Sequence, residues 1–89
     1  MHSLRQDTQF RRDYKLQKKR SKKIEKLEKI VQVLLRHGRL PVLYRPHKLS
    51  GEWMGLWECH IEPDWLLIYD VNDVGVLLVR TGTHSDLFE

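Results

Sequence analysis

Three histidines and an acid stand where they could do chemistry together. His47 lies in a basic loop, His60 and Asp64 fall in the stretch WECHIEPDWLLIYDV at residues 57–71, and His84 follows in RTGTHSDLF at residues 80–88. Imidazole titrates near ~6.5, so it exchanges protons around neutral pH with little tuning, and such a set suits general acid–base catalysis. On RNA that chemistry is definite. A base takes the proton from a ribose 2′-hydroxyl, the oxygen attacks the adjacent phosphate, and an acid protonates the departing 5′-oxygen. Basic side chains then stabilise the charge that builds on the phosphoryl oxygens. Arg45 and Lys48 flank His47, and Arg80 precedes His84. No metal and no cofactor is needed for this route.

The plainer reading of each histidine is structural, and the presence of three with an acid weakens it. Zinc is a further option, because Cys59 joins the histidines and Asp64 as a potential ligand. No CxxC or HxxxH spacing occurs, however, and strand alternation turns Cys59 away from His60, so a zinc site is not expected. Trp65 and Phe88 read either as packing or as aromatic faces on which RNA bases stack.

These residues must be positioned by a small scaffold. At 89 residues the chain has room for one domain, which buries only about 60 to 65% of its unfolded surface, so a site belongs in a surface groove. Residues 2–6 predict a short first strand, and Asp7 or Thr8 a cap for a helix to Arg20, anchored by Phe10 and Tyr14. Ser21 marks an imperfect start for a second helix. Ile24, Leu27, Val31 and Leu34 recur at helical steps, and Gly38 fits its C-terminal cap. Pro41, Pro46 and Gly51 break the chain into a loop over 39–51.

Three strands follow in the pattern, at 52–61, 65–71 and 76–81, with turns at 62–64 and 72–75. Along the first of them Trp57, Cys59 and Ile61 share one face, and Glu58, His60 and Glu62 the other. Residues 65–69 are continuously apolar, which predicts cover on both faces of the sheet. The expected fold is α+β: two N-terminal helices packed on a small twisted, mostly antiparallel sheet.

The net charge of +4 conceals two opposed halves. Residues 1–48 hold 15 Lys and Arg against 4 Asp and Glu, a net +11, whereas residues 49–89 hold one arginine against 8 acids, a net −7. Lys18, Lys19, Arg20, Lys22, Lys23 and Lys26 crowd the joint between the helices and must face solvent or a polyanion. No apolar run approaches the roughly 18 residues of a membrane span, and the opening MHSLRQDTQFRRD lacks the apolar middle of a signal peptide. A lone cysteine excludes an internal disulfide and suits a reducing compartment, so the cytoplasm is expected.

Together YRPHKLSG at 44–51, WECHIEPDWLLIYDV and RTGTHSDLF closely resemble the YafQ-like branch of the RelE/ParE toxin superfamily, and QFRRDYKL at 9–16 extends the match weakly into the first helix. The resemblance implies a ribosome-dependent mRNA endonuclease, acting mainly on transcripts in the ribosomal A site and silenced by a cognate antitoxin in a heteromeric complex. It carries the active-site positions onto His47, Glu58, His60, Asp64, Trp65, His84 and Phe88. Where the family has aspartate this chain has Glu58, one of its departures. The resemblance makes His84 the expected acid and His60 or His47 the base. Asp64 would position or assist, Glu58 would tune His60, Trp65 and Phe88 would stack a base, and the lysine-rich helices would grip ribosomal RNA. Two other readings stay open: a toxin of this fold directed at DNA gyrase, whose relatives generally lack the histidine and acid cluster, and a non-catalytic RNA-binding module.

Overall fold

The computed structural model describes residues 3–88; residue 2 of the expected first strand lies outside them. Strand β1 (Ser3–Gln6) leads into helices α1 (Thr8–Lys19) and α2 (Ile24–His37). After a 3-10 turn at Val42–Tyr44 come β2 (His47–Lys48), a second 3-10 turn at Gly51–Trp53, then β3 (Trp57–Glu62), β4 (Trp65–Val71) and β5 (Gly75–Gly82). The short helix α3 (His84–Phe88) closes the described chain. The five strands form one sheet in the order β1-β5-β4-β3-β2. All pairs are antiparallel except β1 with β5. This is the α+β fold expected.

α2 forms where the periodicity places it. Leu27, Ile30, Val31 and Leu34 are buried, and Gly38 takes the left-handed conformation (φ 72°) that returns its amide to the Leu34 carbonyl at 2.8 Å. Ser21 plays a different part from the one predicted: it ends α1 rather than starting α2. Its φ of 61° is left-handed, its amide donates to the Lys18 carbonyl, and the Lys22 amide donates to the Gln17 carbonyl, both at 3.0 Å. That pair of bonds is a Schellman turn.

β3 begins at Trp57, not near residue 52, because Gly51 (φ 68°) and Gly55 (φ 91°) hold backbone conformations no strand can contain. β2, two residues read as loop from sequence, pairs His47 with Glu58 and Lys48 with Trp57.

The continuous apolar run of β4 is covered on both faces, though not by helices on both. Trp65, Leu67 and Tyr69 join Phe10, Leu27, Ile30 and Leu34 under the helices. Leu66 and Ile68 pack instead against Leu87 of α3 with Leu49, Trp53, Leu56 and Val79. The second face therefore depends on a loop and a five-residue helix, and the polar candidates lie there. Among the described residues no helix is long and apolar enough to cross a membrane.

Candidate active site

Alternation along β3 buries Cys59 completely under the helices and turns Glu58 and His60 to the opposite face. Burial first, and the charge of Glu58 second, push the Cys59 thiol up to about 12, so it is inert at neutral pH. His60, Leu66 and Gly82 occupy one row across β3, β4 and β5. The end of β5 is thereby brought beside the start of β4, and His84, two residues past Gly82, arrives next to the β3–β4 turn that carries Asp64.

Two carboxylate–histidine sets result. In the first, Glu58 is 5% exposed, and its Oε1 lies 3.3 Å from His47 Nε2 and 3.9 Å from His60 Nε2. His47 Nδ1 also faces the Arg45 carbonyl at 3.1 Å. Both His47 nitrogens thus face oxygen atoms of the protein. His60 Nδ1 is buried without a hydrogen-bond partner, a condition rare in folded proteins.

In the second set, Asp64 Oδ1 accepts the His84 backbone amide at 2.9 Å and faces His84 Nδ1 at 2.6 Å. The amide bond first, and the ring second, hold the Asp64 carboxyl below its ordinary range. The His84 ring is 6.0 Å, centroid to centroid, from that of His60 and 6.4 Å from Phe88. Two imidazoles at this separation, each beside a carboxylate, can address opposite sides of one phosphate.

Sequence reasoning did not foresee what holds His84. Thr83 and Asp86 form a capping box at the start of α3: the Asp86 amide donates to Thr83 Oγ1 at 3.1 Å, and Asp86 Oδ2 accepts the Thr83 amide at 2.9 Å. The signal was present as Thr83-His84-Ser85-Asp86, the [ST]-x-x-[DE] pattern of a helix start. Arg20 donates to both Asp86 oxygens at 2.6 and 3.1 Å. Its guanidinium, with the Thr83 amide contributing next, holds the Asp86 carboxyl well below the usual carboxylate range.

A lowered carboxyl stabilises the fold fully above its unfolded value of about 3.9 and loses that contribution as pH falls through the folded value. The stability gap between wild type and Asp86→Asn, measured by urea unfolding, is expected to be about 1 kcal/mol at pH 7 and to shrink steadily below about pH 4. A gap that stays constant down to pH 2 would contradict this assignment.

Several candidates lie elsewhere than expected. Trp65 is fully buried, with its Nε1 donating to Thr81 Oγ1 at 3.0 Å. It has no face to offer a base and serves the core. Arg80 binds Asp13 through Nε at 2.7 Å and Nη2 at 3.2 Å, so its cation is already neutralised within the fold. Arg20 is likewise engaged by Asp86, and Lys26 by Glu62 at 2.9 Å.

Glu62 leaves the face of Glu58 and His60 because a bulge follows His60, and the Lys26 ammonium holds its carboxyl below the ordinary range. Lys48 lies 5.8 Å from the Trp57 ring, on the face opposite the cluster, whereas Lys22 lies 5.9 Å from the Trp65 ring and its charge helps to hold the Asp64 carboxyl down. Arg45, Lys18, Lys19 and Lys23 are exposed. Phe88, 43% exposed, retains a free face and is braced edge-on by Trp53 at 6.2 Å. That second role of Trp53 had no signal in its spacing.

The chain matches the model of the bacterial toxin of type II toxin–antitoxin systems, YafQ, over residues 2–89. It is 42% identical over 81 residues to the mRNA interferase toxin YafQ of Escherichia coli strain K12, covering 90% of this chain and 88% of that one. The crystal structure of YafQ from E. coli strain BL21(DE3) superposes with a TM-score of 0.94 at 37% identity, each chain covered in full. The crystal structure of an E. coli DinJ–YafQ complex matches with a TM-score of 0.92 at 38% identity, again over both whole chains. Sheet order, the paired helices and a likeness running the length of the chain thus converge on one conclusion: this chain belongs to the YafQ toxins of bacterial type II toxin–antitoxin systems, within the RelE/ParE superfamily.

Proposed function

We propose that the protein is an mRNA interferase, an endoribonuclease that cuts transcripts in the ribosomal A site and is silenced by a cognate antitoxin. The observation that carries this reading is the His60–His84 pair, 6.0 Å apart with Glu58 and Asp64 beside them. His60 takes the proton from the 2′-hydroxyl as the 2′-oxygen bonds to phosphorus. The bond from phosphorus to the 5′-oxygen breaks, and His84, as imidazolium with Nδ1 toward Asp64, returns a proton to that oxygen. The products are a 2′,3′-cyclic phosphate and a 5′-hydroxyl. His47, with Nε2 turned to Glu58 and Nδ1 to the Arg45 carbonyl, has neither ring nitrogen free to serve as the base. Phe88 stacks a base.

Mapping transcript 5′ ends after incubating an mRNA with the protein, with and without translating ribosomes, tests the reading. Cuts in codon register only with ribosomes are expected. Equal cutting of free RNA would make it a general ribonuclease, and intact RNA from folded protein would favour a binding or gyrase-directed role.

The antitoxin reading draws on the relative solved as a DinJ–YafQ complex and on the basic α1–α2 joint. An acidic segment that orders on binding would complement that joint. Reversing the charges of Lys18, Lys19 and Lys23 is expected to weaken antitoxin binding at least about tenfold at low salt, with a smaller effect as salt rises. Titration of the purified antitoxin at two salt concentrations measures this, and unaltered binding would place the antitoxin elsewhere.

A further inference from the structure

In sequence Arg20 is one cation among many, yet its surroundings set it apart. The Schellman turn at Ser21 fixes where α1 stops, and from its end the Arg20 guanidinium reaches across to α3. Nη1 and Nη2 meet the two oxygens of Asp86 at 2.6 and 3.1 Å, a two-pronged fit that arginine makes and lysine cannot. Asp86 in turn closes the capping box with Thr83. Gly82 leaves room for it, because a Cβ there would lie 2.8 Å from Asp86 Oδ2 and 2.9 Å from its Cβ. A five-residue helix cannot hold itself by its own hydrogen bonds, so what its first turn is tied to decides where it sits. His84 is the first residue of that turn.

We propose that Arg20 is a positioning residue for His84, holding the α3 capping turn through Asp86 so that the imidazole stays opposite His60. The inference rests on the acid–base reading above. Arg20 touches no reacting atom; it acts through Asp86 and Thr83. It is thereby separated in role from Lys18 and Lys19, its neighbours on the basic surface.

Single-turnover cleavage of an mRNA on programmed ribosomes, followed over a range of protein concentrations, tests it. Arg20→Ala is expected to lower the maximal rate about 10- to 100-fold, the scale of a misplacement of roughly 1 Å, while the half-saturating concentration stays within about twofold. Arg20→Lys is expected to fall between, since an ammonium keeps the charge and loses the fork. Asp86→Asn should match Arg20→Ala, and the double variant should be no worse than either. Arg36→Ala, which removes the same charge from the last turn of α2, should leave the maximal rate unchanged.

Thermal melts establish which variants are folded. Should Arg20→Ala melt below the assay temperature, Arg20→Lys and Asp86→Asn carry the comparison. A raised half-saturating concentration with an intact maximal rate would make Arg20 an RNA-gripping residue and overturn the proposal, as would wild-type values for both. Failure of the underlying reading looks different: wild-type protein that cuts nothing, or His84→Ala that cuts as wild type does, removes the acid–base site and the positioning role with it.

Discussion

His84→Ala is expected to cut mRNA about 10² to 10⁴ times more slowly than wild type while remaining folded. The loss corresponds to roughly 3 to 6 kcal/mol in the barrier, at about 1.4 kcal/mol per tenfold. Stability should change far less. The His84 side chain is 52% exposed, so its removal opens no cavity, and Asp64 Oδ1 still accepts the residue-84 amide. A change within about 1 kcal/mol in urea unfolding is therefore expected.

The contrast between a large kinetic effect and a small thermodynamic one is what marks a proton-transfer residue rather than a structural one. Single-turnover cleavage beside a urea melt of the same preparation supplies both numbers. Residual cleavage within about tenfold of wild type would sink the assignment of His84 as the acid.

The reverse contrast is expected for Asp13→Ala, which should cost about 3 to 5 kcal/mol of stability and lower the melting temperature by roughly 15 to 30 °C. β1 ends at Gln6, opposite Leu78, so β5 runs on beyond its parallel neighbour. Past that point Asp13 of α1 takes over as the acceptor. It is 7% exposed and accepts from Arg80 Nε at 2.7 Å, Arg80 Nη2 at 3.2 Å, the Thr81 amide at 3.1 Å and Gln9 Nε2 at 3.1 Å.

Alanine would leave the buried Thr81 amide and the partly buried Arg80 cation without this partner, and stranding such groups costs more than the pair itself contributes. Asp13→Leu combined with Arg80→Met should therefore be more stable than Asp13→Ala alone. A loss below about 1 kcal/mol for Asp13→Ala would show that Arg80 finds other partners. Because β5 delivers Gly82 and the α3 turn, the variant should also lose activity at temperatures where it still melts cooperatively.

The two effects differ in how far the sequence alone reveals them. The three histidines, their two acids and the chemistry open to them follow from residue types. Alternation alone puts Glu58 and His60 on the face opposite Cys59, because side chains of a strand point to opposite sides at every step. The helical stripe from Ile24 to Leu34, its end at Gly38, and the two-sided cover of β4 are local patterns of the same kind.

Where neighbours in space are far apart in sequence, those patterns carry no information. Arg20 meets Asp86 across 66 residues, and Arg80 meets Asp13 across 67. Nothing local distinguishes Arg20 from the lysines beside it, and nothing local pairs Arg80 with an acid of the first helix. Trp65 reads equally as a stacking platform or as core until β4 is set against β5 and the helices, where it proves fully buried. Residue type and period thus determined which side chains can do the chemistry and which way each points along its own element. Only the tertiary structure decided which elements' ends meet, and with that which charges are already neutralised, which aromatic is exposed, and how His84 comes to stand opposite His60.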